Sequence, residues 1–173
     1  MTRDQRDLLV LRHAKSSWNE PALDDYDRPL SKRGKRDAPR MGQWMREQGL
    51  IPDYIVSSPA RRAKETTRRI CGALDIDPSS VVWEERIYGA ELPALLSVIE
   101  KIPDSAQCAL LVGHNPELEE LVAYLVSEGE RATLGYGFLK TATLAMLQTR
   151  DPWRDVRAHH ARLKCLKRPK ELL

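Results

Sequence analysis

The sequence has no long apolar run and only three cysteines. The first feature excludes a membrane span, and the second gives no sign of a disulfide-rich or zinc-binding protein. The apolar run nearest the N-terminus, residues 8–11, is four residues long, which is far too short for a signal sequence or a membrane span. Cys71, Cys108 and Cys165 are widely separated and form no CxxC pair, so neither a disulfide framework nor a zinc knuckle is indicated. We expect a cytoplasmic protein that does not associate with membranes.

Aromatic residues are also scarce, and phenylalanine occurs once. Basic residues cluster at 32–40 and again at 150–170, although the net charge is only +3. A nucleic-acid-binding surface would place such clusters on one face with aromatic platforms between them, and no RNA- or DNA-binding motif accompanies them. We therefore interpret the clusters as solvated surface and expect no nucleic-acid partner.

Short apolar runs alternate with longer helical patterns along the chain. The predicted strands are residues 8–11, 54–56, 81–83, 108–112 and 141–147, with a last strand within 156–166. Helical patterns fill the intervals after the first four strands. Such alternation predicts βαβ units. We expect an α/β fold in a single three-layer domain over residues 1–173, with a mostly parallel sheet and helices on both faces.

Two helix starts can be read from the sequence. Ser31 is a plausible N-cap for the first helix, and Pro39 is expected either to kink this helix or to mark its true first turn. After the second strand, Ser57 and Ser58 precede Pro59, which resembles an N-cap followed by proline at the first helical position. Because no GxSxG pattern surrounds these serines, we interpret them as caps and not as nucleophiles.

Chemically capable side chains follow three of the predicted strands. The first strand ends in Arg12 and His13, the second is followed by Arg62, and the fourth ends next to His114. Ligands of parallel sheets bind beyond the carboxyl ends of the strands, so these side chains are expected to share one pocket. Arginine forks bind oxyanions such as phosphate, and a neutral imidazole can attack phosphorus.

Metal chemistry is not indicated by this set of residues. Zinc hydrolases need about three protein ligands and often show HExxH-like spacing, whereas here two histidines come without nearby carboxylates. We therefore predict a metal-independent site and no cofactor. The charges of the arginines would lower the pKa of His13 and keep its imidazole neutral.

The segment around His13 resembles the RHG signature of the histidine phosphatase superfamily, the group that includes the cofactor-dependent phosphoglycerate mutases. Residues 58–63 resemble its SPxxRA segment, and His114 corresponds to its second histidine. The stretches LRHAKSSW, DRPLSKRGKRDA, PDYIVSSPARRAKET and LLVGHNPELEEL are similar to the SixA-type phosphohistidine phosphatase branch. The resemblance covers about residues 8–147 and implies the phosphoglycerate mutase-like fold. Ala14 stands where the signature has glycine.

The resemblance also implies roles for individual residues. His13 would be the nucleophile, and the phosphoryl oxygens would be contacted by Arg12, Arg62 and His114. Glu85 is similar to the glutamate that protonates the leaving group in mutases, although an ordinary surface glutamate is an equally good interpretation. The residues implied on the substrate side are Asn19, Arg28 and Ser16.

Three functions remain open from the sequence. The first is a phosphatase that forms a phosphohistidine intermediate, acting on phosphohistidine in proteins or on a small metabolite or nucleotide. The others are a phosphoglycerate-type mutase and a non-catalytic module that binds phosphorylated ligands. No interval between the motifs is long enough for a substantial lid, which favours an open pocket and a phosphorylated protein as substrate. We expect a monomer.

Overall fold

A six-stranded sheet forms the centre of the molecule. The computed structural model describes residues 4–172. The strands are β1 (Arg6–Arg12), β2 (Tyr54–Ser57), β3 (Val82–Trp83), β4 (Cys108–Gly113), β5 (Leu144–Thr149) and β6 (Arg162–Lys167). Their order across the sheet is β3-β2-β4-β1-β5-β6. The strands β1–β4 run parallel to one another, and β5 pairs antiparallel with both β1 and β6. Only β5 therefore runs in the opposite direction, and the sheet is mostly parallel as predicted.

Helices cover both faces of this sheet. They are α1 (Lys32–Glu47), α2 (Arg61–Leu74), α3 (Leu92–Glu100), α4 (Glu117–Leu125) and the short α5 (Glu128–Thr133). On one face, Met41 of α1 and Ile70 of α2 pack in a cluster with Leu9. On the other face, α3 and α4 pack on a cluster that contains Val10. Because β1 is covered on both sides, it is a continuous apolar run, and the three-layer α/β prediction is confirmed.

The helix starts differ in part from their predictions. Ser31 is the N-cap of α1, and its hydroxyl accepts a hydrogen bond from the Gly34 amide at 3.2 Å. Since α1 begins at Lys32 and continues past Pro39, that proline does not mark the first turn. The prediction for α2 was wrong, because the helix begins at Arg61 and its N-cap residue is Ala60, without a side-chain cap.

The C-terminal third of the chain departs most from the predicted elements. α5 was not predicted, although Ser127 and Glu130 form a capping box there, a pattern that is visible in the sequence. Its short and polar sequence lacks the apolar stripe on which helix prediction depends. β5 begins at Leu144 instead of residue 141, and β6 begins only at Arg162 and ends one residue beyond the predicted interval. Among the described residues, no helix is long and apolar enough to cross a membrane.

Gly34 allows the start of α1 to approach the loop that follows β1. A Cβ atom at this position would overlap the carbonyl oxygen of Lys15. The same carbonyl accepts hydrogen bonds from the Ser31 backbone amide at 2.8 Å and from its hydroxyl at 3.0 Å. The first turn of α1 therefore fixes the backbone two residues after His13.

We expect Gly34→Ala to destabilise the protein by about 1–3 kcal/mol, the usual cost of overpacking, and to lower activity by displacing the loop after His13. Gly72→Ala is the matched control, because a Cβ atom there would meet nothing within 4 Å. That change inside α2 should stabilise the protein by about 0.4–1 kcal/mol. Urea unfolding measures both values, and equal stability of the two variants would contradict the close approach.

Candidate active site

The carboxyl ends of β1, β2 and β4 bring the predicted catalytic residues together. β1 and β4 are neighbours with Arg12 opposite Gly113, and the His13 amide donates to the Gly113 carbonyl at 3.0 Å. The rings of His13 and His114 consequently lie side by side, with 5.1 Å between their centroids. From β2, the Ser58 amide donates to the Val112 carbonyl at 3.0 Å and places Ser58 at the same edge.

The ring of His13 is buried and held in one orientation. Its Nδ1 lies 2.7 Å from the Ala14 carbonyl oxygen, which can only accept, so Nδ1 carries the proton of the neutral ring. The other nitrogen, Nε2, accepts a hydrogen bond from Arg62 Nε at 3.3 Å. Burial lowers the pKa of His13 to about 3, and the charges of Arg62 and Arg12 act in the same direction. His13 therefore presents an unprotonated Nε2 next to a guanidinium group.

His114 is held by a residue that the sequence interpretation assigned to another role. Its Nε2 lies 2.8 Å from the Ser58 hydroxyl, and that hydroxyl also accepts from the Ala60 amide at 3.2 Å. The interpretation of Ser58 as a helix cap was therefore wrong, because α2 begins later and leaves the hydroxyl free to position His114. Burial, followed by the charge of Arg62, lowers the pKa of His114 to about 3.

These two histidines should remain neutral far below the pH at which a histidine ordinarily titrates. We expect the ring signals of His13 and His114 to stay unchanged from pH 7 to about pH 4.5 in NMR titrations, with alanine variants to assign them. In the unfolded chain both rings take up protons near pH 6.5. The unfolded state then binds more protons between pH 6.5 and 3, so stability falls as the pH decreases through this window. A titration of either ring near pH 6.5 would contradict the burial of the pair.

The two arginines reach the pocket from different sides. Arg12 is half-buried; its Nη1 donates to the Leu139 carbonyl at 3.0 Å, and its Nε is buried without a partner in the described chain. Arg62 is buried at the first turn of α2, where its Nη1 donates to the Asp25 carbonyl at 2.6 Å and its Nη2 to the Asp25 carboxylate at 3.0 Å. Every nitrogen of Arg62 therefore has a partner, and its Nε is directed at His13.

Asp25 is a site residue that the sequence interpretation missed. Its carboxylate also accepts from Arg28 Nε at 3.2 Å and from the Tyr88 hydroxyl at 2.8 Å. Partial burial opposes ionisation, yet the Tyr88 bond and the charge of Arg62 hold the pKa of Asp25 below its ordinary value. One carboxylate thus orients two arginines. The i,i+3 spacing of Asp25 and Arg28 in DYDR was the only signal for it.

Similarity to known proteins agrees with this geometry. The sequence model of the Histidine phosphatase superfamily (branch 1) matches residues 8–89. A protein of Mycobacterium tuberculosis is 32% identical over 84% of this chain and 91% of its own length. The crystal structure of SixA from Agrobacterium tumefaciens is 31% identical, covers 95% of this chain and 98% of its own, and superposes with a TM-score of 0.80. The chain belongs to the histidine phosphatase superfamily.

Mutases of this superfamily match a smaller part of the chain. The 2,3-bisphosphoglycerate-dependent phosphoglycerate mutase of a Nocardioides species is 39% identical, but over only 48% of this chain and 36% of its own length. The SixA structures, by contrast, match nearly the whole chain, including one bound to tungstate at a TM-score of 0.81 and 19% identity, which shows the shared fold. The phosphoglycerate mutase-like fold predicted from the sequence is confirmed.

The superfamily signature contains a glycine where this chain has Ala14, and the structure shows how alanine fits. Its Cβ packs in a small apolar cluster with Leu30, Ala38 and Ala142. Its amide donates to Thr66 Oγ1 at 3.0 Å, and this hydroxyl in turn donates to the Arg62 carbonyl at 2.7 Å. Ala14 therefore links the backbone next to His13 to the helix that carries Arg62.

The remaining predicted site residues lie at different distances from this centre. Arg28 is buried and joins the site through Asp25, and its guanidinium lies 3.5 Å from the centroid of the Trp18 ring. Ser16 is buried and pairs with Leu30 in an isolated antiparallel bridge, so it shapes the loop after His13. Asn19 is exposed, and its side chain bonds to no other residue in the described chain. Its substrate contact remains a prediction.

Glu85 is exposed and hydrogen-bonds to a tyrosine instead of to either histidine. Its carboxylate accepts from the Tyr26 hydroxyl at 3.2 Å. The Tyr26 ring contacts the Tyr88 ring, which contacts His114 edge-on at 5.5 Å between centroids. Two aromatic rings thus connect Glu85 to His114, and its role as an acid remains a prediction. Within residues 4–172, no three His, Cys, Asp or Glu side chains come together as a metal site.

Proposed function

We propose that this histidine phosphatase transfers a phosphoryl group from phosphohistidine in a protein to Nε2 of His13 and then to water. The observation that carries the proposal is the unprotonated Nε2 of His13, which lies 3.3 Å from Arg62 Nε, in a ring whose Nδ1 is held by the Ala14 carbonyl. A nucleophilic lone pair and a phosphate-binding cation therefore meet at one point.

In the first step Arg62 Nε–H turns from His13 Nε2 to a phosphoryl oxygen and so frees the lone pair. The His13 Nε2–phosphorus bond then forms while the bond from phosphorus to the substrate nitrogen breaks. The nitrogen of the leaving imidazole keeps the bonding electrons and gains a proton from solvent or an acid in the pocket. Arg62, Arg12 and Arg28 offset the negative charge on the phosphoryl oxygens, as oriented donors do in other phosphoryl transfers. In the second step water attacks phosphorus, inorganic phosphate leaves, and His13 regains its lone pair.

His114 would support both steps as a hydrogen-bond donor. The Ser58 hydroxyl accepts a hydrogen bond from the Ala60 amide. It also lies 2.8 Å from Nε2 of His114, which can accept the hydrogen of the hydroxyl group. If Ser58 donates there, Nδ1 of His114 carries the ring proton. This nitrogen is buried and has no partner in the described chain, so its N–H is available for a phosphoryl oxygen.

Two observations support a protein substrate. Trp18 is 70% exposed beside Arg28, and an exposed tryptophan next to an arginine is typical of protein-binding surfaces. Glu85, the candidate acid, is also exposed and hydrogen-bonds to Tyr26 instead of to either histidine. An acid placed there matters less for phosphohistidine than for a phosphate ester, because imidazole leaves more readily than an alkoxide.

The experiment compares kcat/KM for a histidine-phosphorylated protein, free phosphohistidine, 3-phosphoglycerate and nucleoside monophosphates. We expect the phosphorylated protein to be preferred over every small metabolite, with free phosphohistidine between them. A hundred-fold preference for a metabolite or nucleotide would refute the protein substrate and favour the small-molecule alternative. Interconversion of phosphoglycerates would favour the mutase. Failure to trap any phosphoenzyme would favour the non-catalytic module.

Metal independence is a separate part of the proposal. We expect activity to survive dialysis against EDTA unchanged, because the side chains of Arg12, Arg62 and the two histidines supply the contacts to the phosphoryl group. Vanadate should inhibit competitively. Activity that is lost on dialysis and restored by zinc or magnesium ions would contradict this mechanism.

A further inference from the structure

A second concave surface lies apart from the catalytic histidines. One face of α1 meets the loop after Leu139 and the C-terminal turn Pro169–Glu171, and together they line a cleft of about 620 Å³. This volume is within the range of small-molecule sites. None of the residues that line the cleft belongs to the active site described above. Its basic side chains are Arg33, Arg36, Arg40, Lys140, Arg168 and Lys170.

The sequence places these charges together through helix geometry and one tertiary contact. Arg33, Arg36 and Arg40 are spaced i, i+3 and i+7, which puts them on one face of α1. The C-terminal turn forms the opposite wall of the cleft. It is held in place because Leu172 packs against the apolar cluster under α1 and α2. Lys167 also holds this segment against α1, because its Nζ lies 5.5 Å from the centroid of the Trp44 ring.

The positive charge of the cleft is largely uncompensated. Asp37 is the one carboxylate in its lining, and it pairs with Arg36 Nε at 3.1 Å. The other five basic side chains have no carboxylate within 4 Å in residues 4–172. The fold brings members of the two basic clusters, which were interpreted as solvated surface, together in one cleft. Like charges collected in this way repel one another and attract anions.

We propose that this cleft binds a small anion with at least two phosphoryl groups, such as inorganic triphosphate or the phosphate chain of a nucleotide. Four of the six cations are arginines, whose planar forks match phosphate oxygens. Seven residues along α1 separate Arg33 from Arg40, which is roughly 10 Å at 1.5 Å per residue. A single phosphate would have to draw the long side chains of both arginines together, whereas a chain of phosphoryl groups can contact cations along the whole span.

The test is calorimetric titration of inorganic triphosphate into the His13→Ala protein, which excludes turnover, at physiological ionic strength. Adding Arg33→Gln and Arg40→Gln should weaken binding at least ten-fold. The matched control adds Lys32→Gln and Lys35→Gln, which remove two charges from the same helix without changing the cleft lining. The control should weaken binding less than three-fold. All four side chains are exposed, and thermal unfolding without ligand confirms that both variants remain folded.

Each alternative gives a different result. Equal weakening in both double variants would mean that triphosphate responds only to net charge, and no weakening in either would mean that it binds only at the catalytic site; both overturn the proposal. A glutamate hexapeptide that binds more tightly than triphosphate would overturn it in favour of an acidic protein segment. A parallel titration with ATP separates the sources: equal affinity assigns binding to the phosphate chain, and tighter binding of ATP assigns it to the whole nucleotide.

Discussion

Replacing His13 by alanine is expected to lower kcat/KM by about a million-fold, the scale seen when a nucleophile is removed from a cooperative catalytic site. The reason is geometric: His13 Nε2 is the unprotonated nitrogen that Arg62 Nε faces at 3.3 Å. His114 cannot replace it, because its Nε2 is engaged by Ser58. Steady-state kinetics on a histidine-phosphorylated protein measures the loss.

His160→Ala is the matched control for this variant. His160 is exposed and pairs with Asp151 at 3.0 Å, and it contacts no residue of the site. We expect the His160→Ala variant to have an activity within two-fold of the parent and a similar unfolding temperature. The parent should also form a phosphoenzyme that is labile in acid and stable in alkali, and His13→Ala should form none. Activity of His13→Ala within ten-fold of the parent would refute the nucleophile assignment.

The pattern of strands was predictable because the parallel strands β1, β2 and β4 are buried on both faces along most of their length. Residues 8–11 of β1 and 108–112 of β4 are therefore uninterrupted apolar runs in the sequence, and chemically capable residues follow them at the carboxyl ends of the strands. This pattern predicted that Arg12, His13 and His114 lie at one edge of the sheet, which is where the structure has them. The short elements β3 and α5 carry weaker patterns, and α5 was missed because it buries no side chain.

The supporting residues of the site could not be read in the same way. Asp25 and Tyr88 are 63 positions apart, and neither belongs to a periodic element whose position follows from the sheet. Ser58 was given the wrong role because a serine before a proline is a good local start signal for a helix. In the structure, its contact with His114, 56 residues away, decides its function. Local rules predict which groups are candidates for the chemistry, whereas tertiary contacts decide which side chains orient those candidates.

Arg62→Ala is expected to lower kcat by about a hundred- to a thousand-fold, the usual effect of removing one transition-state donor, with KM changed much less. The loss should be confined to catalysis, because Asp25 retains its hydrogen bonds to Arg28 and Tyr88. The loop that carries Asp25 should therefore keep its position.

Arg61→Ala is a stringent control, because the neighbouring Arg61 is exposed and pairs with Glu65 at 2.9 Å. The activity of this variant should stay within two-fold of the parent. Arg62→Lys should not restore the rate, since an ammonium group cannot face His13 Nε2 and hold Asp25 at two points as the guanidinium does. Kinetics on one substrate for all three variants decides the matter, and equal losses at positions 61 and 62 would show that general charge, not the directed Nε–H, supports catalysis.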